Sequence, residues 1–119
     1  MAMTPQESVC ALLENREDPY VPGQWDCAEM IHWHLRACHA QVVKMPKPPL
    51  TAWKAVRTLG RPDSGPPAYG DIILQYWGKD LVAGIYVGWG VLTLTHGEGM
   101  AFIDLIQKYL RWNLGRWAR

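Results

Sequence analysis

Cys27 is the residue whose type and position best fit a nucleophile. It follows Asp26, and Glu29 comes three residues after that aspartate, just ahead of an apolar run. This spacing is typical of a capping box and predicts a helix that begins at Cys27. Unpaired backbone N–H groups and the positive end of the helix dipole favour a thiolate there. The position therefore predicts an activated thiol, and a buried, inert cysteine is the structural alternative.

A nucleophilic thiol needs a general base, and histidine is the usual one. His96 lies in a glycine-rich turn and could serve as the base if the preceding strand passes the helix that begins at Cys27. The alternative is a structural histidine that bonds to the local backbone. His32 and His34 follow Cys27 on the same helix, too far along it to reach back to its start. His34 and Cys38 are spaced as half of a metal site, but no second pair of ligands follows at suitable spacing. We expect neither a metal nor a cofactor.

Composition and charge indicate one ordinary folded domain. Charged residues make up 19% of the 119 residues and the formal net charge is +1, which argues against a general nucleic-acid binder. Three cysteines form no disulfide framework and indicate free thiols in a reducing compartment. The chain has no signal-peptide pattern and no apolar run long enough for a membrane span, so we expect synthesis in a cytoplasm.

Apolar spacing predicts two more helices in the first half of the chain. Thr4 and Glu7 form a second capping box, which predicts a helix over 5–16. After a proline-rich crossing, Thr51 can cap a short helix that stops at Gly60.

The second half of the chain alternates in the manner of strands. Strands are predicted over 71–76, 81–87, 91–95 and 100–106, separated by glycine-rich turns. Helices followed by strands predict a single α+β domain over 1–119, with N-terminal helices packed on a C-terminal antiparallel sheet.

The last nine residues, 111–119, contain three arginines, two tryptophans and no acidic residue. Arg and Trp are common anchors of protein interfaces, so this segment is a possible docking tail with contacts from Trp112, Arg116 and Trp117. The alternative is an edge segment whose rings cover the sheet. The basic density is too low to predict binding to nucleic acid or to a membrane surface.

Three motifs occur in an order that resembles the NlpC/P60 family of papain-like cysteine peptidases. They are Trp25-Asp26-Cys27, Gly70-Asp71-Ile72-Ile73 and Gly84-Ile85-Tyr86-Val87-Gly88. Gly97-Glu98-Gly99 is similar to a motif in the short members encoded by tailed bacteriophages. The resemblance covers nearly the whole chain and implies a papain-like fold.

The resemblance also implies which residues hold the catalytic positions. In that family the cysteine attacks a peptide bond of peptidoglycan, a histidine opening the second strand is the base, and a polar residue on the next strand orients it. Cys27 matches the nucleophile. The family pattern H-V-G-I-Y aligns with residues 82–86, which puts Val82 where the base belongs, and the third position falls at Thr93 or Leu94. Losing the base costs roughly 10² to 10⁴ in rate, so the resemblance implies a degenerate site.

The resemblance to the short phage-encoded members therefore implies a structural protein of the bacteriophage tail tip or tail assembly, located in the virion and catalytically inactive. Its expected partners are other phage tail proteins. The alternative is an active peptidoglycan endopeptidase that uses Cys27 and His96. A redox module using Cys27 and Cys38 is a more distant third, because eleven residues of helix separate the two by about 16 Å, too far for a disulfide.

Overall fold

Two of the three described helices from the first half of the chain pack on a sheet formed by the second half, and the other packs on a neighbouring helix. The computed structural model describes residues 2–15, 17, 20–21, 25–39, 52–57, 59–95 and 99–113. The helices are α1 (Pro5–Glu14), α2 (Cys27–Cys38) and α3 (Ala52–Arg57). Helix α1 packs on α2, which contacts the middle of the sheet beside α3.

Side-chain caps fix the starts of the first two helices where the sequence predicts them. The Thr4 hydroxyl accepts a hydrogen bond from the Glu7 N–H, and the Glu7 carboxylate accepts one from the Thr4 N–H, which confirms that capping box. The Asp26 carboxylate accepts a hydrogen bond of 3.0 Å from the Glu29 N–H. The predicted start of a helix at Cys27 is therefore confirmed.

The ends of the helices depart slightly from the prediction. Helix α1 ends at Glu14, about one half-turn earlier than expected. Thr51, the predicted cap of α3, lies outside the described residues, and Gly60 has a φ of 83°, the left-handed region that favours glycine after a helix. Within the described ranges, every helix is too short or too polar to cross a membrane.

Five antiparallel strands form a single sheet in the order β4-β3-β2-β1-β5. They are β1 (Ile72–Trp77), β2 (Asp80–Tyr86), β3 (Val91–Thr95), β4 (Gly99–Ile103) and β5 (Tyr109–Trp112). The first four form the predicted meander, whereas β5 returns to pair with the other side of β1. The α+β class and the antiparallel sheet are confirmed.

The two faces of the sheet bury different clusters. Residues directly opposite each other share a face: Leu74 lies opposite Ala83, and Ile73 lies opposite Gly84. The main core, on the helical side, includes Ile72, Leu74, Ala83, Ile85, Leu92 and Leu94 together with Ile31 and Leu35 of α2. A smaller cluster on the far side contains Ile73, Val91 and Ile103. The strand residues of the main core therefore face α2, and those of the smaller cluster face away from it.

A buried ion pair fixes the loop before β1 to the outer strand β5. The Arg111 guanidinium lies 3.0 Å from the Asp71 carboxylate, and it also donates to the Ser64 carbonyl. Asp71 accepts a second hydrogen bond from the Ala68 N–H, and the Asp63 N–H donates to the Arg111 carbonyl. Because removing either partner would leave a buried charge, this pair holds the loop over the outer side of β5.

Trp112 is a core residue and not a surface contact, which corrects its place in the predicted docking tail. Its side chain is 2% exposed, and its indole N–H donates to the Gly60 carbonyl at 2.9 Å. Residues 111 and 112 belong to the edge strand β5, in line with the alternative reading of this segment. Arg116 and Trp117 lie outside the described residues.

Candidate functional site

The backbone before α2 positions the Cys27 thiol. Val21 and Trp25 exchange two hydrogen bonds, of 2.7 and 2.9 Å, which fix the chain just before the Asp26 cap. Trp25 and Cys27 are partly buried against the main core. The sulfur lies within hydrogen-bonding reach of the backbone of Ala83 in β2. The first residue of α2 therefore faces the middle of the sheet.

Burial raises the pKa of the Cys27 thiol above the ordinary value of a cysteine. The backbone of Ala83 and the N–H groups at the start of α2 lower that pKa, whereas the negative charge of Asp26 raises it. The helix start thus acts in the predicted direction, but the loss of hydration outweighs it. The net direction is opposite to the activated thiol that the sequence predicts.

Tyr20 is a neighbour of this thiol that the sequence did not reveal. Burial raises the pKa of its phenol, and the charges of Asp26 and Cys27 raise it further. The phenol of Tyr20 and the Cys27 thiol are thus both near the Asp26 carboxylate, whose negative charge disfavours their ionisation. The one signal in the sequence is the pair Pro22-Gly23, which predicts a turn between Tyr20 and the helix.

Val82 does not face Cys27, which corrects the position expected for the base. Val82 lies opposite Gln75 and packs with the small cluster on the far side of the sheet. Ala83 belongs to the main core on the helical side. Because neighbouring residues of a strand point to opposite faces, the β2 side chain beside the thiol is the methyl group of Ala83.

Thr93 also points away from Cys27. It lies opposite Gly84 on the far face, is fully buried, and donates its hydroxyl hydrogen to the Ala83 carbonyl at 2.7 Å. The β3 residues on the helical face are Leu92 and Leu94. The third catalytic position of the family pattern is therefore occupied either by Thr93, which bonds to backbone on the far face of the sheet, or by Leu94.

His34 is bonded on both ring nitrogens inside the protein. Its Nε2–H donates to the Gly70 carbonyl at 3.1 Å, because a carbonyl can only accept, and its Nδ1 then accepts from the Ser8 hydroxyl at 2.7 Å. The Cys38 sulfur lies 3.9 Å from the same Nδ1. Burial lowers the pKa of His34 to about 4 despite the Gly70 bond, and the charge of His39 adds to the lowering. His34 is a neutral structural link between α1, α2 and the loop before β1.

No described imidazole takes the role of base for Cys27. The groups that shift the thiol pKa within the described part of the chain are backbone groups and Asp26, and none is a histidine. His96, the predicted alternative base, lies outside the described residues. In the part of the chain that the structure describes, no three His, Cys, Asp or Glu side chains lie together as a metal site requires.

Two motifs that carry the family resemblance have structural explanations in this protein. A Cβ atom on Gly84 would lie 2.5 Å from the Leu92 carbonyl oxygen, so the close approach of β3 requires glycine there. Asp71 holds Arg111 and the loop at Ala68. These residues therefore have structural roles in this chain and do not by themselves indicate catalysis.

An exposed apolar groove lies elsewhere on the helical side of the sheet. Its volume is about 740 Å³. Trp53 of α3, Tyr76 of β1 and Leu110 of β5 line it, and all three side chains are exposed. Aromatic and aliphatic groups that converge in one groove are typical of contact surfaces.

Comparison with known proteins identifies no relative. No protein-family model, no curated protein and no solved structure matches this chain. The papain-like fold therefore stays a prediction from the three sequence motifs.

Proposed function

We propose that this chain is a non-hydrolytic structural protein of a bacteriophage tail tip or tail assembly, built on a papain-like, NlpC/P60-like fold. The observation that carries the proposal is the apolar surface opposite the thiol. The backbone of Ala83 is close to the Cys27 sulfur, and the residues of β2 and β3 on the helical face, which include Ala83, Ile85, Leu92 and Leu94, are apolar. A buried thiol with a raised pKa has no proton acceptor on that surface.

The conclusion does not depend on how the family pattern is aligned. The aligned base position is Val82, and the position facing the thiol is Ala83; neither side chain can take up a proton. The third position behaves in the same way, because Thr93 bonds to backbone and Leu94 is apolar. Under either alignment, the position expected for the general acid and base holds a side chain that cannot carry a proton.

The exposed aromatic groove supports a role in protein assembly. A single-domain protein that leaves Trp53, Tyr76 and Leu110 accessible in one groove has a surface suited to a protein partner. Other tail proteins are the proposed partners, and the virion is the proposed location, both by analogy with the short phage-encoded members that the motifs resemble.

Incubation with purified sacculi tests the loss of hydrolysis. We expect the wild type to release no more soluble muropeptide than Cys27→Ala does. Assembly is tested in a phage that carries the variants: Cys27→Ala should leave tail formation intact, whereas Tyr76→Ser with Leu110→Ser in the groove should impair it. Because Tyr76 and Leu110 are exposed, their replacement leaves the core unchanged, and circular dichroism checks this.

One observation favours the endopeptidase as a second candidate function. Helix α2 contacts β3, and the last described residue of β3, Thr95, directly precedes His96 in the chain. On that alternative, Cys27→Ala and His96→Ala each abolish muropeptide release. Release that survives both substitutions would be unrelated to this site.

A further inference from the structure

The two edges of the sheet differ in how far other parts of the chain cover them. The outer side of β5 is covered by the loop before β1, since the Asp63 N–H donates to the Arg111 carbonyl and the Asn113 N–H donates to the Asp63 carboxylate. At the other edge β4 pairs only with β3 among the strands of the described residues. Among the described residues, the β5 edge is therefore covered, whereas no strand pairs with the outer side of β4.

Strand β4 also lacks the features that usually protect an edge. Its five residues, Gly-Met-Ala-Phe-Ile from Gly99 to Ile103, include no charged residue and no proline. Natural edge strands avoid further pairing by means of lysines, prolines, bulges or covering loops. An uncharged, apolar edge of this length is suited to accept another strand.

Two exposed aromatic rings stand beside this edge. Trp89 is 69% exposed and Phe102 is 42% exposed, and their ring centroids are 4.8 Å apart. Phe102 lies opposite Leu92, and Met100 lies opposite Leu94, so both side chains are on the helical face of β4. Large rings that remain in water next to open backbone groups are typical of interface anchors.

We propose that β4 pairs antiparallel with β4 of a second copy of this chain, with the two-fold axis at Ala101. The strand is self-complementary in this register. Met100 comes to lie opposite Phe102 of the partner subunit, and Gly99 opposite Ile103 of the partner subunit. The first pair places a thioether against an aromatic ring and occurs twice by symmetry. The result is one continuous ten-stranded sheet.

The packing on both faces fits this arrangement. On the helical face, Met100, Phe102 and Trp89 of each copy form one apolar cluster across the axis. On the far face, Gly99 and Ala101 are small and leave space around Ile103. A contact of one strand per copy is small, so the dimer is expected to dissociate reversibly at low concentration. It is independent of whether the protein belongs to a virion.

Sedimentation over a concentration series tests the proposal directly. We expect a reversible monomer–dimer equilibrium for the wild type, and Phe102→Lys should weaken it at least about tenfold. Tyr76→Lys is the matched control, because Tyr76 is 61% exposed and lies in the groove away from β4. A wild type that stays monomeric at all concentrations, or a dimer that Phe102→Lys leaves unchanged, overturns the proposal.

A cysteine at the axis tests the register. Across an antiparallel pair, equivalent residues on the two-fold axis lie about 4.5 to 5.5 Å apart, within disulfide range. In a Cys10→Ser background, which removes the exposed native thiol, Ala101→Cys should form a disulfide-linked dimer under mild oxidation. Lys79→Cys in the turn before β2 should not. Equal cross-linking of both variants, or none at position 101, contradicts this register.

Discussion

The two ends of α2 carry the same kinds of side chain in opposite situations. At the far end, His34 is bonded on both nitrogens, to Ser8 and Gly70, and Cys38 lies beside it. At the start, Cys27 faces the methyl group of Ala83 on an apolar strand surface. The helix therefore holds a thiol and an imidazole about two turns apart. The imidazole stabilises the fold, and the thiol lacks a described base.

This difference separates the residues that maintain the fold from those that could perform chemistry. His34 joins α1, α2 and the loop before β1 in one buried network. Cys27 makes no comparable set of polar links and stands where the sheet is apolar. The proposed assembly role requires the first end, which maintains the fold, and requires no chemistry at the second.

The largest expected effect is at the His34 end. His34→Ala removes a fully buried ring and leaves the Ser8 hydroxyl and the Gly70 carbonyl without their partner. We expect a loss of about 4 kcal/mol in the free energy of unfolding, measured by urea denaturation. Cys27→Ala is the matched control at the other end and should cost about 1 kcal/mol. Equal losses at the two ends would contradict the contrast.

Acid should destabilise the protein through the same residue. The pKa of His34 is about 4 in the folded state and about 6.5 when unfolded, so between these values only the unfolded chain takes up the proton. Stability is therefore fully present above pH 6.5 and falls by about 3 kcal/mol as the pH drops to 4. Urea denaturation at several pH values measures this slope.

Two variants assign the acid dependence to its source. His34→Gln should flatten most of it. Burial also lowers the pKa of His39, so His39→Gln should remove a smaller part in the same direction. A slope that His34→Gln leaves unchanged would show that other groups control acid stability.

A histidine introduced into β2 tests which face of that strand lies beside the Cys27 thiol. Ala83→His places a titratable ring on the face of β2 beside the thiol, and its positive charge should lower the Cys27 pKa. Val82→His places the same ring on the far face and should leave that pKa unchanged. The rate of alkylation against pH measures both, and the buried position of Ala83 makes a packing cost of about 1–3 kcal/mol expected. Activation by the residue at 82 alone would refute the assignment of faces.

The smallest effect is expected at Thr93. Thr93→Val leaves the Ala83 carbonyl without its side-chain donor and should cost about 1 kcal/mol of stability. Because Thr93 faces away from α2, the alkylation rate of Cys27 should not change. A change in that rate without a loss of stability would show that Thr93 does influence the Cys27 site.

Local signals in the sequence were sufficient for much of the fold. The capping residues Thr4 and Asp26 fix the starts of two helices through contacts three residues away, and such contacts are visible in the sequence. The meander follows from strands separated by short turns. Strand β5 was not predicted as a strand, because its pairing with β1 joins residues far apart in the chain.

The site could be predicted only in part, for a physical reason that is clearest in β2. The alternation of Ile85 and Val87 against Tyr86 separates the two faces of this strand, but it does not tell which residue of the strand lies beside the thiol. The family pattern therefore placed Val82 beside the thiol, one residue from the position that faces it. The partners of His34 are 26 and 36 residues away, beyond any local pattern.

The pH dependence of Cys27 alkylation in the wild type tests most directly the claim that this thiol has no general base. The Cys27→Ala variant gives the signal from the other cysteines, which is subtracted, and His96→Ala is the comparison. The account predicts a midpoint above 9.0, the ordinary value of a cysteine thiol, which is the same in His96→Ala. A midpoint near or below neutral pH that rises in His96→Ala would show a working thiolate and imidazole pair and contradict the account.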